Sequence, residues 1–238
     1  MAEKELKEAA AHFVLVHGSG HGAWCWYKLR CLLENSGHLV TCIDLTGTDV
    51  NSLEDYNRPL LDLMSNLPET EKVVIVGHSS GGVCVTQVVH QFSTKVIVAV
   101  YVAANMLRNG FCTEEDIKAG SPTGFKDNMT YKGILLEDIQ QKIYYNTSPQ
   151  EDQVLASMLL RPSPPDIIFK TARFNHGREA DKIKRVFVKA LYDQVLSSEQ
   201  QDMMIKLWPP SQVFALESDH SPFFSVPTQL CDILLKVI

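Results

Sequence analysis

A serine within a Gly-x-Ser-x-Gly pattern is the residue of this chain best suited to chemistry. Ser79 lies in the run Gly77-His-Ser-Ser-Gly81, directly after the β-branched apolar residues Val73–Val76. A buried strand, a sharp turn and a helix in this order form a nucleophile elbow, which holds the serine in a strained backbone conformation. The flanking glycines allow neighbouring chain to pass close to the turn. Because position 78 is a histidine, Ser80 does not fit the pattern, and we expect Ser79 to be the nucleophile.

Two further side chains could make the Ser79 hydroxyl reactive. A serine needs a base within hydrogen-bond reach, and that base needs an acid that orients it. Asp193 follows an apolar run that begins near Arg185, and His220 follows the apolar run Val213–Leu216. The order Ser, Asp, His along the chain, each after a strand, predicts a catalytic triad of Ser79, Asp193 and His220.

Other acids and histidines are weaker candidates for the triad. Asp219 is next to His220, and consecutive side chains rarely point at one another, while Asp202 lies within a helical pattern. An aspartate after a strand can also be only a turn former, and a loop histidine can be only structural. The other histidines considered lie at strand starts, in a helix or in the middle of the chain: His12, His38, His90 and His176.

A glycine-rich loop follows the first apolar run, with Ser19 between Gly18 and Gly20. Beside a nucleophilic serine, such a loop supplies a backbone N–H to the negative oxygen of a tetrahedral intermediate, here that of Ser19. A second N–H comes from Ser80, at the start of the helix after the elbow. Each donor stabilises the transition state by about 3–4 kcal/mol. We therefore expect Ser19 and Ser80 to form an oxyanion hole, with Gly18 beside the substrate.

The same loop also matches a dinucleotide-binding fingerprint. The run Gly18-x-Gly20-x-x-Ala23 follows a strand and opens a helix, and Asp44 lies roughly 20 residues further on, where a ribose-binding acid is expected. An NAD(P)-dependent Rossmann oxidoreductase is therefore the alternative from another class. It leaves Ser79, Asp193 and His220 unexplained, and the chain has no Tyr-x-x-x-Lys pair.

Composition indicates a globular protein and argues against several classes of function. The 238 residues suit one large domain, 45% of them are hydrophobic and 21% charged. The net charge is −6 with no basic cluster, so we expect no nucleic-acid partner. No apolar run reaches the ~20 residues that span a bilayer. Residues 1–11 are charged and alanine-rich without an apolar core, so we expect that they are not a secretory signal. Six scattered cysteines indicate a reducing compartment. We expect a cytoplasmic monomer or homodimer that needs no metal or cofactor and no membrane.

Short apolar runs alternate with helical patterns along much of the chain. Because the runs are continuously apolar, the strands are expected to be buried on both faces, which is typical of a mostly parallel sheet flanked by helices. The predicted strands are His12–Val16, His38–Ile43, Val73–Val76, Val96–Val102, Lys184–Lys189 and Gln212–Leu216. The predicted helices are Trp24–Asn35, Leu53–Asn66, Ser80–Phe92, Ser197–Leu207 and one from about Thr228.

The alternation stops between residues 106 and 177. Helical patterns there cover Thr113–Lys118, Leu135–Tyr145 and Pro149–Leu160, and turn residues mark 120–124. We predict an α/β core of residues 1–105 and 178–238, with residues 106–177 inserted as a cap over the catalytic face.

Several stretches along nearly the whole chain resemble the plant methylesterase family of α/β-hydrolases, which also contains hydroxynitrile lyases. They include His12-Phe-Val-Leu-Val-His-Gly, His21-Gly-Ala-Trp-Cys-Trp-Tyr-Lys-Leu, Gly77-His-Ser-Ser-Gly-Gly and Ser218-Asp-His-Ser. The resemblance implies the α/β-hydrolase fold and hydrolysis of small carboxylic methyl esters, with Ser79, Asp193 and His220 as the triad.

The branch of the family is indicated by two longer motifs. Tyr101-Val-Ala-Ala-Asn-Met-Leu and Leu155-Ala-Ser-Met-Leu-Leu-Arg-Pro are similar to the branch that holds methyl indole-3-acetate esterases and pheophorbidase-like enzymes. The chain is shorter than typical members between Asp49 and Leu53 and between about Lys118 and Leu135. The second of these stretches lies in the predicted cap, which shapes the acyl pocket in the family.

Two positions favour an esterase over a lyase. The lyases resemble one another in a threonine after the first-strand histidine and a lysine after the catalytic histidine, and this chain has Gly18 and Ser221 there. A lysine would stabilise departing cyanide, which Ser221 cannot do, and Gly18 leaves room for an acyl group. We expect a serine carboxylesterase that hydrolyses methyl esters such as methyl indole-3-acetate through an acyl-enzyme. A pheophorbidase-like esterase of chlorophyll catabolites and a catalytically inactive receptor on the same scaffold are the alternatives.

Overall fold

Six strands form one parallel sheet within the part of the chain that the structure describes. The structure is a computed structural model, and it describes residues 10–47, 49–111, 137–162, 167–174 and 178–238. Every neighbouring pair of strands is parallel, in the order β2-β1-β3-β4-β5-β6. The predicted α/β architecture is confirmed. The strands are β1 (His12–Val16), β2 (Leu39–Ile43), β3 (Val73–His78), β4 (Val96–Val102), β5 (Lys184–Ala190) and β6 (Gln212–Leu216).

Helices connect the strands and cover the sheet. The described α-helices are α1 (Tyr27–Asn35), α2 (Leu53–Asn66), α3 (Gly81–Gln91), α4 (Glu137–Ile143), α5 (Gln150–Leu159), α6 (Ile167–Thr171), α7 (Arg178–Lys182), α8 (Ser198–Leu207), α9 (Pro222–Ser225) and α10 (Pro227–Lys236). A 3₁₀ turn, Ala23–Trp26, occupies the start of the first predicted helix. The short helices α6, α7 and α9 were not predicted, because four or five residues are too few to show a helical period.

The burial of the strands explains their apolar sequences. All residues of β1 and of β3 are buried, whereas the edge strands β2 and β6 are partly exposed. Successive side chains of a strand point to opposite faces. Val14 and Ile75 therefore lie in a core with α2 and α3, and Leu15 and Val74 lie in a second core with α1 and α10.

Local signals fix the ends of two helices. The Ser52 hydroxyl accepts a hydrogen bond from the Asp55 N–H at 3.0 Å and caps α2. Pro59 lies inside α2, where it has no N–H to donate. Ser197 and Gln200 form a reciprocal capping box at the start of α8. The helix α2 therefore begins at the predicted residue, and α8 begins one residue after the predicted Ser197, which is its N-cap.

The helices α4, α5 and α6 lie between β4 and β5 in the chain, within the segment predicted as a cap. The predicted helix at 113–118, the turns at 120–124, the shortened stretch at about 118–135 and His176 lie outside the described residues. The division into core and cap stays a prediction. No helix in the described ranges is long and apolar enough to cross a membrane.

Candidate active site

Ser79 follows β3 directly and has a left-handed backbone conformation. Its φ is +52°, which is unusual for a residue with a side chain. Such strain costs about 1–3 kcal/mol and persists only where neighbouring contacts fix it. The Ser79 N–H donates to the Val102 carbonyl at 3.3 Å, and the Ser79 carbonyl accepts from the N–H groups of Gly82 and Asn105 at 3.0 and 2.9 Å. The end of β4 therefore holds the elbow in place.

Three glycines allow the close packing around this turn. A Cβ on Gly81 would lie 2.5 Å from the His17 carbonyl oxygen, and one on Gly77 would lie 2.6 Å from Val85 Cγ2. A Cβ on Gly18 would lie 2.7 Å from the Cβ of Ser79. Real Cβ atoms essentially never approach other atoms this closely. The loop after β1 can therefore touch the elbow because Gly18 and Gly81 lack side chains, while Gly77 leaves room for Val85 of α3.

The structure brings Ser79, His220 and Asp193 into one hydrogen-bonded chain. The Ser79 Oγ is 2.9 Å from His220 Nε2, and His220 Nδ1 is 2.8 Å from Asp193 Oδ2. Because the carboxylate only accepts, Nδ1 carries the proton and Nε2 can take the proton of the serine. His220 and Asp193 are buried, at 1% and 7% exposure. This geometry can deprotonate the serine hydroxyl.

Backbone groups fix the Asp193 carboxylate. Its Oδ1 accepts from the N–H groups of Val195 and Leu196 at 2.7 and 2.9 Å, which leaves Oδ2 for His220. The rival Asp219 is also buried, but its oxygens accept from Thr147, Ser148 and Ser221 rather than from the imidazole. Asp202, the second rival, pairs with Lys189 at 2.5 Å. The structure therefore places only Asp193 of the three acids on the histidine.

Ser19 and Ser80 face one another beside the elbow. The Ser19 N–H donates to Ser80 Oγ at 2.8 Å, and the two Oγ atoms are 2.7 Å apart. The Gly18 carbonyl, on the same peptide group as the Ser19 N–H, accepts from His17 Nδ1 at 2.8 Å. The Leu45 N–H in turn donates to His17 Nε2 at 3.0 Å. The direction of the Ser19 N–H is therefore fixed from the end of β2.

Comparison with known proteins decides the family. The model of the alpha/beta hydrolase family matches residues 13–233. Methylesterase 17 of Arabidopsis thaliana is 42% identical over 94% of this chain and 90% of the relative. Pheophorbidase of Raphanus sativus is 41% identical over 97% of this chain and 95% of the relative. The chain belongs to the plant methylesterases of the α/β-hydrolase family. A crystal structure of an Arabidopsis methylesterase, with 39% identity, aligns at a TM-score of 0.82 over 95% of this chain and 98% of that one.

In this methylesterase two aromatic rings pack against His220, the candidate general base. The Tyr144 ring stacks on His220 with centroids 5.6 Å apart and planes at 27°, and the His78 ring lies 4.7 Å away. The His78 Nε2 is 2.7 Å from the His220 carbonyl oxygen, so Nε2 carries the proton. Burial, and next the charge of His220, lower the pKa of His78 well below its ordinary value. Sequence reasoning missed both residues, and only the position of His78 beside Ser79 could have indicated one of them.

Another buried histidine, His21, connects the loop after β1 to the segment after α4. His21 Nδ1 donates to the Ser19 carbonyl at 3.1 Å, and the Tyr145 hydroxyl donates to His21 Nε2 at 2.8 Å. Burial lowers the pKa of His21 to about 3 and that of His17 to about 4. Both imidazoles are therefore neutral near pH 7, which lets each act as donor at one nitrogen and acceptor at the other.

The residues of the dinucleotide fingerprint have structural roles in this enzyme. Asp44 Oδ1 accepts from the Ala23 N–H at 3.0 Å and pairs with Arg161 at 2.6 Å, so this oxygen already has two partners. A Cβ on Gly22 would meet both of these side chains within 2.7 Å. The oxidoreductase alternative therefore has no support from Asp44. No group of three metal-ligating side chains occurs in the described part of the chain.

A small cavity is lined in part by the loop after β1. Its volume is about 140 Å³, and its lining includes His17, Leu45, Tyr56 and Arg161. Neither the elbow serine nor its histidine lines it. The candidate site is therefore identified by the hydrogen bonds of the three side chains rather than by this cavity.

Proposed function

We propose that this methylesterase hydrolyses small carboxylic methyl esters through an acyl-enzyme on Ser79. In the proposal His220 is the general base and then the general acid, and Asp193 orients its imidazole. The observation that carries the proposal is the pair of hydrogen bonds from Ser79 to His220 and from His220 to Asp193, at 2.9 and 2.8 Å. Together with the strained turn at Ser79, they support the roles of nucleophile, base and acid in the order that acyl transfer requires.

The reaction then proceeds in two half-reactions. The Ser79 oxygen attacks the ester carbonyl while His220 Nε2 takes the hydroxyl proton, and backbone N–H groups of Ser19 and Ser80 hold the negative oxygen. His220 returns the proton to the departing methoxide, which leaves as methanol. Water attacks the acyl-enzyme by the same route and releases the carboxylic acid and Ser79. These steps need no metal or cofactor, and Gly18 lies beside the acyl group.

For the substrate we propose methyl indole-3-acetate or a similar hormone ester. The longer motifs that begin at Tyr101 and Leu155 are similar to the branch that holds methyl indole-3-acetate esterases together with pheophorbidase-like enzymes. A pheophorbidase-like activity on chlorophyll catabolites is the second candidate, because the identity to the Raphanus sativus pheophorbidase, 41%, nearly equals the 42% to methylesterase 17. We further propose that the enzyme acts in the cytoplasm, because its scattered cysteines indicate a reducing compartment. We also propose that it is a monomer or homodimer.

The experiment is a panel of methyl esters assayed for methanol with the wild-type enzyme and Ser79→Ala. The panel holds methyl indole-3-acetate, methyl jasmonate, methyl salicylate and a pheophorbide-type methyl ester. We expect turnover of the indole ester and a loss of about 10³- to 10⁶-fold in kcat in the variant. Ser65→Ala, on the outer part of α2, is the matched serine control and keeps full activity.

Three results would count against the proposal. Near-normal turnover by Ser79→Ala would reject the serine mechanism. Binding of the esters without any methanol release would support the receptor alternative, and saturable NADPH binding without esterase activity would support the oxidoreductase.

A further inference from the structure

The Ser80 hydroxyl occupies the place where a substrate oxygen would bind Ser19. An oxyanion-hole donor binds its oxygen at about 2.7–3.1 Å. The Ser80 Oγ lies 2.8 Å from the Ser19 nitrogen and accepts its N–H. A second contact, 2.7 Å between the two Oγ atoms, holds the Ser80 side chain there. One of the two expected donors is therefore already bound to the protein itself.

The Ser19 amide cannot turn away from this contact. Its peptide group is held at the Gly18 carbonyl by His17 Nδ1 at 2.8 Å and by the His21 N–H at 3.2 Å. The next carbonyl, that of Ser19, accepts from His21 Nδ1 at 3.1 Å. The side chains of His17 and His21 are buried, so these three hydrogen bonds hold the Ser19 N–H in its direction.

The Ser80 side chain is the movable partner. A serine side chain has a single χ1 torsion with three staggered positions, and rotation about it moves Oγ without moving the backbone. The Ser80 backbone N–H has no acceptor among the described residues, so it stays available in every rotamer. Rotation of one side chain is therefore enough to open the second donor.

We propose that Ser80 is a gate on the oxyanion hole, whose side chain must rotate away before the Ser19 N–H can bind the substrate oxygen. The inference rests on the proposed ester hydrolysis at Ser79 and adds that the hole is closed in the free enzyme. Ser80 competes with the substrate oxygen for one N–H, so it lowers the affinity for the transition state. Removal of its hydroxyl then increases activity.

The test is Ser80→Ala, assayed with p-nitrophenyl acetate and with a trifluoromethyl ketone that forms a tetrahedral adduct on the nucleophilic serine. In this variant the substrate oxygen binds the Ser19 N–H without first displacing the two hydrogen bonds of the Ser80 hydroxyl, which are neutral and of modest net strength. We expect kcat/KM to rise about tenfold, which corresponds to about 1.36 kcal/mol, and the inhibition constant to fall by a similar factor. Ser19→Ala removes only the contact between the hydroxyls and keeps the N–H, so it gives a smaller gain. Ser65→Ala is the unchanged control.

The gate is refuted if kcat/KM falls tenfold or more in Ser80→Ala while circular dichroism shows an intact fold. That result would make the Ser80 hydroxyl a donor to the oxyanion. Unchanged kinetics also overturns the gate. A wild-type crystal structure of the ketone adduct gives a second readout, independent of the variant. The gate requires the adduct oxygen on the Ser19 N–H and Ser80 in another rotamer, and an unmoved Ser80 Oγ would refute it.

Two further measurements separate this inference from the proposed function. Fluorophosphonate labelling and ester turnover by the wild-type enzyme, both lost in Ser79→Ala, test the proposed function alone. If both are absent, the proposed function fails. The amide proton resonance of Ser19 still tests the contact, since loss of the Ser80 hydroxyl must move it upfield, and an unmoved resonance rejects the gate.

Discussion

The replacement Gly18→Ala tests how tightly the loop after β1 must pack on the elbow at Ser79. A Cβ at this position would lie 2.7 Å from Ser79 Cβ, 3.0 Å from His78 Nδ1 and 3.1 Å from the His78 carbonyl oxygen. Two of these three atoms belong to the backbone or to the base of a side chain, and the imidazole is itself held by a buried hydrogen bond to the His220 carbonyl. No neighbour can therefore yield by a simple rotamer change.

The size of the effect follows from the distances. Ordinary contact begins at 3.4 Å, so the loop and the elbow must separate by about 0.7 Å. A misplacement of about 1 Å costs about 10²-fold in rate, and we expect kcat/KM to fall by about 30- to 100-fold. Overpacking of this kind also costs about 1–3 kcal/mol in the free energy of unfolding. Most of the loss should appear in kcat, because Ser79 and the Ser19 N–H act together in the transition state.

The assay compares Gly18→Ala with Gly47→Ala. A Cβ on Gly47 would have no heavy atom within 4 Å, and its φ is outside the left-handed range. This control changes the same residue types on a loop of the same enzyme and is expected to keep its activity, with a gain of about 0.4–1 kcal/mol in stability. Ester turnover and urea unfolding are measured on both variants.

Wild-type kcat/KM in Gly18→Ala would refute the reasoning. It would mean that the loop moves freely against the elbow, and that the close approach seen here is not needed for the reaction. Equal losses in both variants would instead indicate a general effect of alanine in these loops, and the distances at Ser79 would then have no predictive value.

Three more predictions concern the buried polar groups around the site. Asp193→Asn should lower kcat by about 10⁴-fold, by the precedent of serine proteases, because the imidazole then takes the wrong tautomer; steady-state kinetics measures this. Asp219→Asn should lower the free energy of unfolding, measured in urea, by about 1–3 kcal/mol and should lower kcat less than Asp193→Asn does. A larger loss of kcat in Asp219→Asn than in Asp193→Asn would show that Asp193 is the wrong acid. His21 has a pKa of about 3 in the folded enzyme and about 6.5 unfolded, so the unfolded state binds more protons between these values and stability falls as pH drops from 6.5. His21→Gln should therefore reduce the slope of unfolding free energy against pH by about 1.36 kcal/mol per unit between pH 4 and 6, and an unchanged slope would contradict the low pKa.

The sequence by itself determined the order of the elements and most of their limits. Continuous apolar runs such as Val96–Val102 predicted buried parallel strands, and the structure gives the same limits for that strand and for Gln212–Leu216. These features are local, because burial on both faces leaves a direct mark on the residue types of a strand. The elbow around Ser79 could be predicted for the same reason, since its glycines and its strand are neighbours in the chain.

Only the tertiary structure decided how distant groups meet. The sequence offered Asp193 and Asp219 as acids, and the choice depends on which carboxylate lies within 2.8 Å of an imidazole on another strand end. The contact between Ser19 and Ser80 joins residues 61 positions apart, and that between Ser79 and His220 joins residues 141 apart. A hydrogen bond needs atoms placed to within a few tenths of an ångström, whereas the period and composition of a segment report only which face is buried. Such distances follow from the packing of all six strands and their loops together, and no single segment of the chain encodes them.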